Sequence, residues 1–138
     1  MALARRLLLA VLALLVIVCV VIACWVGFTE HERLEREAKT PEQIAAEPGQ
    51  GRGRWVQVAD AQLYVQTWGD ARHPTLLLTH GTGAWSGSWF ALPAALAAAG
   101  WQVVAVDLPP FGLSKPQGPP RRVDYTRRAQ AQRLLGPV

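Results

Sequence analysis

The sequence predicts an α/β domain carried behind a single membrane-spanning helix. Three observations lead there. Residues 7–28 form one apolar run without a charge. Residues 55–68 alternate apolar and polar positions, as an antiparallel hairpin with one wet face does. Residues 75–106 then read as strand, helix, strand, a crossover that makes the two strands parallel.

The apolar run covers 22 positions. At ~1.5 Å of rise per residue it spans roughly 33 Å as a helix, the thickness of a bilayer's hydrocarbon core. Arg5 and Arg6 precede it in a basic tail of residues 1–6, and Trp25 and Phe28 sit near its far end, where aromatic rings suit the interface. An uncleaved single-pass anchor in contact with the lipid bilayer is the leading reading. A cleaved signal peptide is the weaker alternative, because the run is long and lacks a small-x-small exit. Val21-Ile22-Ala23-Cys24 also resembles a bacterial lipobox, which makes Cys24 a candidate lipidation site. Against that, the chain stays apolar through Phe28. Arg5 and Arg6 favour a cytoplasmic N-terminus and an extracytoplasmic soluble part, while Arg33, Arg36 and Lys39 argue the other way.

Residues 29–53 read as a helical and Gly-rich linker. Glu32 and Arg36, and Glu35 and Lys39, are spaced as helix-surface pairs. Thr40, Pro41 and Gln43 carry the pattern of a capping box at the start of a short helix. The soluble domain is expected over 54–138. Residues 75–79 lack alternation, as a strand buried on both faces does. A helix is expected over 89–99, ended by Gly100, then a strand over 101–106. Asp124 can cap a last helix over 125–135.

Composition narrows the function classes. The net charge of +4 comes from 14 basic and 10 acidic residues, the basic ones in short pairs rather than along a stripe. That pattern, without a recognition module around it, argues against nucleic acid as a partner. Both cysteines, Cys19 and Cys24, lie in the apolar run. No disulfide framework or cysteine-based metal site is therefore expected, and no cofactor is expected either.

Two motifs carry a resemblance. Residues 78–83, Leu-Thr-His-Gly-Thr-Gly, run from a strand into a His-Gly loop. Residues 107–114, Asp-Leu-Pro-Pro-Phe-Gly-Leu-Ser, follow the next strand. In this order and spacing they resemble the N-terminal half of the α/β-hydrolase superfamily, over about residues 54–136. Pro110 stands where the family commonly has glycine, which stiffens that loop. The resemblance implies a hydrolase acting through a Ser-His-Asp triad on an ester, amide or similar bond of a small uncharged or apolar substrate. In this fold one oxyanion donor comes from the loop after the motif's strand, which by the resemblance is the backbone N–H of Thr82. Gly81 and Gly83 let the backbone approach closely. His80, Asp107, Gly112 and Ser114 are expected to organise loops, not to react. Trp85 and Trp89 are candidate pocket residues, though helix packing explains them equally well.

The nucleophile elbow Gly-x-Ser-x-Gly is not among these residues. The serines are Ser86, Ser88 and Ser114, and none has glycine two before and two after. The expectation is therefore a hydrolase fragment, inactive by itself, with an open edge beside residues 76–78. The competing readings are a non-catalytic membrane-tethered binding module and half of a split hydrolase completed by another chain.

Overall fold

The structure, a computed structural model, describes residues 2–119 and 123–136. It divides into two compact units, Met1–Ala38 and Lys39–Val138. The first is one helix, α1 (Ala2–Glu37). Its most apolar 18-residue stretch has a mean hydropathy of 3.5, and it is the one helix among the described residues long and apolar enough to cross a membrane. The helix runs unbroken through Cys24 and into the charged segment beyond Phe28. There Arg33 meets Glu30 at 3.5 Å and Glu37 at 2.9 Å, and His31 meets Glu35 at 3.1 Å. Lys39 does not serve as the partner of Glu35, because the helix ends at Glu37.

The second unit starts earlier than the sequence suggested. Lys39 reaches Glu47 at 2.6 Å. Helix α2 (Pro41–Ala45) carries the expected capping box, with the Gln43 N–H donating to Thr40 Oγ1 and the Thr40 N–H to Gln43 Oε1. Its Ile44 is fully buried against Tyr64 and Leu113. Residues 39–53, expected as a linker, thus belong to the compact unit.

Five strands form a mixed sheet: β1 (Arg52–Val58), β2 (Ala61–Trp68), β3 (Thr75–Thr79), β4 (Gln102–Val106) and the short β5 (Lys115–Pro116). The order is β1-β2-β4-β3, with β5 added beside the start of β2. β1 and β2 form the expected antiparallel hairpin, and β3 and β4 are parallel, with Leu77 opposite Val104. β2 lies antiparallel to β4, with Val65 opposite Val106. This central place buries β2 on both faces. Ala61, Leu63 and Val65 join Val104 and Val106 on one side, where Leu134 packs. Tyr64 faces the other side, under Ile44 and Trp85. The expected wet face of the hairpin is therefore absent from β2, and even Gln66 is fully buried. Conversely β3, whose apolar run reads as a strand buried on both faces, lies at the sheet's edge among the described residues, where an open edge was expected, and its residues alternate between exposed and half-buried.

The crossover differs in detail. Residues 89–99 do not form one helix. A 3-10 turn (Ser86–Trp89) comes first, then Phe90 at φ 52, then α3 (Leu92–Ala98) with Pro93 in its first turn. A left-handed residue cannot continue either helix. The last helix, α4 (Arg127–Leu134), is capped by Thr126, whose Oγ1 accepts from the Ala129 N–H. Asp124 accepts instead from the Thr126 N–H.

Candidate active site

β3 and β4 are parallel, so the loops that leave them emerge at the same end of the sheet. In open α/β sheets this carboxyl end is where ligands bind. Both motif loops start there.

The first loop, residues 80–84, is a tight turn. The Ala84 N–H donates to the Gly81 carbonyl at 3.2 Å, and Gly83 occupies the third position at φ 77. That left-handed position favours glycine. Gly81, Thr82 and Gly83 are exposed. Among the described residues nothing accepts the Thr82 N–H. His80 pins this loop to the next. Its Nε2 accepts the Leu108 N–H at 2.9 Å, which leaves the proton on Nδ1, 2.8 Å from the Gly81 carbonyl. Both ring nitrogens are thereby spent on the backbone, and Phe111 meets the ring edge-on at 6.2 Å.

The second loop, residues 107–114, is closed by buried side chains at both ends. The Asp107 N–H donates to the Tyr64 carbonyl at 2.9 Å. One Asp107 carboxyl oxygen accepts the Ser86 N–H at 2.5 Å and the other the Leu113 N–H at 2.7 Å. Burial pushes the Asp107 carboxyl up from the usual carboxylate range, against these donors, which favour its charged form. Ser114 Oγ donates to the Asp107 carbonyl and accepts the Tyr64 N–H, each at 2.7 Å. Gly112 has φ 65, and a Cβ there would lie 2.2 Å from the Asp107 carboxyl. The Pro109–Pro110 peptide is cis, inside a turn that the Phe111 N–H closes on the Leu108 carbonyl at 3.0 Å.

The two tryptophans part company. The Trp85 indole lies against Gly87 and packs on Tyr64, Leu113 and Ile44. Trp89 lines a shallow cavity of about 210 Å³ with His80, Gly81, Ala84 and Ser88. Cys24 is exposed on the flank of α1, in the other unit.

Two polar networks escaped the sequence reading. Gln66 accepts the Gly51 N–H at 2.8 Å and donates to Gln50 and Ser86, both at 3.0 Å. A chain of buried hydrogen bonds thus runs from Gly51, just before β1, through Gln66 of β2 and Ser86 to Asp107. Beneath α4, Arg133 is buried and paired with the Asp60 carboxyl at the β1–β2 turn, and also donates to Gln130. The Arg133 guanidinium holds Asp60 below the usual carboxylate range. Gln130 in turn donates to the Pro109 carbonyl. No local pattern could announce a pair 73 residues apart. Among the described residues no group of His, Cys, Asp or Glu is arranged to hold a metal ion.

Comparison with known proteins bears on this arrangement. Residues 74–134 match the family model of the alpha/beta hydrolase fold. A bacterial membrane phospholipase A is 28% identical at a TM-score of 0.55, over 96% of this chain and 39% of its own. Coverage of that extent takes in α1 as well. Epoxide hydrolase A from Mycobacterium thermoresistibile is 27% identical at a TM-score of 0.55, over 61% of this chain and 26% of its own. The thioesterase domain from the curacin biosynthetic pathway is 26% identical at 0.52, over 59% and 30%. No curated protein is similar enough to count as a relative. The chain spans less than two fifths of each of these structures. By its sheet, its two motif loops and the match over residues 74–134, the second unit has the alpha/beta hydrolase fold from β1 to α4.

Proposed function

We propose that the chain supplies the anchor and half of the oxyanion site of a membrane-held hydrolase acting on acyl compounds. The carrying observation is the Thr82 N–H. It has no acceptor among the described residues, and it sits at the carboxyl end of β3 in a loop that His80 ties down. Acyl transfer builds negative charge on a carbonyl oxygen, and donors placed beforehand stabilise it at no cost of reorganisation. The cavity beside the loop, lined in part by Trp89, suits a small uncharged or apolar substrate. A phospholipase and a thioesterase among the similar structures support an acyl carbonyl as the target.

Neither Ser86 nor Ser114 is the nucleophile, and Ser88 Oγ accepts the Trp85 N–H at 3.2 Å. Ser86 and Ser114 are 1% and 6% exposed and spend their hydroxyls on Gln66 and on the backbones of Tyr64 and Asp107. In this reading the nucleophile, its acid and its histidine come from residues outside these 138, on the same polypeptide or on another chain. β3 has a strand on one side only among the described residues, which leaves room for a strand from either source. α1 holds the unit at the bilayer as a single-pass anchor.

The test uses proline. Thr82 occupies the second position of its turn, where proline fits, so Thr82→Pro removes the N–H and keeps the loop. In the assembly that holds the nucleophile, Thr82→Pro is expected to lower kcat ~10²–10³-fold with KM little changed, as loss of an oxyanion donor does. Thr82→Ala keeps the N–H and should stay within a few-fold of wild type. Undiminished turnover by Thr82→Pro would overturn the assignment. Labelling of these 138 residues alone by a serine-directed fluorophosphonate would overturn their inactivity.

A further inference from the structure

Charge is shared unequally between the two units. Residues 1–38 hold four basic and four acidic residues, whereas residues 39–138 hold ten and six, so the whole excess of +4 belongs to the second unit. Most carboxylates there are already engaged. Asp60 pairs with Arg133, Asp70 with Arg72 and Glu47 with Lys39. Asp107 is buried on backbone donors, and Asp124 accepts from its own turn at Thr126.

Helix α4 sorts its arginines accordingly. Arg133 points inward and is 3% exposed. Arg127 and Arg128 are exposed, and among the described residues neither has a carboxylate partner. Helical spacing places Arg127, Arg128, Ala131 and Leu135 on one outer face, since positions three, four and seven apart lie together. All four are exposed, and Leu135 is 77% so. The face carries two unneutralised guanidiniums at one end and an open leucine at the other.

We propose that this outer face of α4 docks on anionic lipid headgroups. Guanidinium groups match phosphate geometry, and basic residues near an anionic membrane surface are drawn to it. Leu135 adds an apolar contact at the headgroup boundary. The bilayer is the favoured partner because the same chain carries α1, and a tether holds headgroups at high effective concentration around the second unit. The inference rests on the anchoring reading above.

The full chain would be placed in nanodiscs of phosphatidylcholine, alone or with about one third phosphatidylglycerol, a content that gives a strongly anionic surface. Hydrogen exchange of residues 123–136 is the readout, and exchange of β2 reports that the unit is folded. The expected result is exchange roughly tenfold slower in α4 on the anionic discs at low salt, reverting near 0.5 M salt, where the field is screened within a few ångströms. R127E/R128E should abolish the protection and R127K/R128K should keep most of it. Equal exchange on both lipids would overturn the proposal. So would protection that ignores salt and survives charge reversal, which would mean that protein, not lipid, covers the face. Release of the chain from vesicles by alkaline carbonate would sink the anchoring reading separately. In that event sedimentation of the full chain with anionic but not neutral vesicles supports the α4 face, and equal sedimentation overturns it.

Discussion

The two loops at the carboxyl end of the sheet are neighbours of opposite character. Residues 80–84 are exposed at 81–83, turn on Gly83, and leave the Thr82 N–H without an acceptor among the described residues. Residues 107–114 start and end on buried side chains, Asp107 and Ser114, that spend their oxygens on backbone groups. Under the proposed function the contrast is a division of labour. A site that must meet a developing charge needs a donor held still but unused, and a donor is held still only if what surrounds it is saturated. The second loop supplies that saturation, through Leu108 on His80 and Asp107 on Ser86.

The largest effect expected from breaking this contrast comes from Asp107→Ala. It strands two buried N–H groups, those of Ser86 and Leu113, at ~1–3 kcal/mol each. A loss of ~3–5 kcal/mol is expected in denaturant unfolding of the detergent-solubilised chain followed by tryptophan fluorescence. Thr82→Ala, in the open loop, should fall within ~0.5 kcal/mol of wild type, as exposed substitutions do. Similar losses from the two would mean that the loops do not differ as described.

Glycine substitutions sharpen the same comparison. Gly112→Ala meets both a left-handed φ and the Asp107 carboxyl at 2.2 Å. Gly83→Ala meets a left-handed φ alone, with nothing within 4 Å of its Cβ. Strain by itself costs ~1–2 kcal/mol, so Gly83→Ala should lose about 1 kcal/mol. Gly112→Ala should lose ~2–4 kcal/mol, because a buried carboxyl must also move. The check is the unfolding midpoint of each variant at constant denaturant slope.

How much of this was legible beforehand depends on the range of the signal. The hairpin, the parallel crossover and the Thr40 capping box are written in neighbouring residues, and all three formed as read. Both motif loops were found because each is a run of consecutive residues. What the chain hid was rank within the sheet. Alternation says which residues share a face but not whether a strand is central or at the edge. Hence Gln66 looked wet and is buried; the edge at residues 75–79 was expected from the resemblance alone, because their apolar run reads as a strand buried on both faces. The start of α3 was missed because one backbone angle, at Phe90, overrode an apolar stripe of helical spacing. The Asp60–Arg133 pair, joined across the domain, had no local signal at all.

Acid titration tests the closed loop more gently. Burial raises the Asp107 carboxyl, so the folded chain keeps a proton that the unfolded chain loses near pH 4. Stability linked to this group is fully present below that pH. It falls as pH rises toward the folded value, by at most about 1.4 kcal/mol per unit. Asp60 and Asp70 are held below the usual range by Arg133 and Arg72, Asp70 down to about 2, so their contributions are lost at lower pH and do not mask the slope. The stability of wild type relative to Asp107→Asn should therefore decline from pH 4 upward. A flat difference would show a carboxylate ionised throughout, held by its donors more strongly than burial opposes them.

The smallest effect is expected at Tyr64, and it bounds how far saturation extends. The Tyr64 backbone anchors the closed loop at both ends, through Asp107 and Ser114. Its hydroxyl is buried with no hydrogen-bond partner among the described residues, and burial pushes the phenol up to about 12, with the Asp107 charge adding to the shift. The ring itself is well placed, 5.2 Å edge-on to Trp55, with its oxygen over Gly53, where no Cβ would fit. Deleting a hydroxyl that makes no hydrogen bond removes a desolvation penalty and little else. Tyr64→Phe should therefore leave stability unchanged or raise it by up to about 1 kcal/mol, read as the shift in unfolding midpoint. A loss of that size would show the hydroxyl engaged, and the closed loop would then be saturated in its side chains as well as its backbone. A gain would place the limit of saturation at the backbone, which is all that holding the Thr82 N–H in place requires.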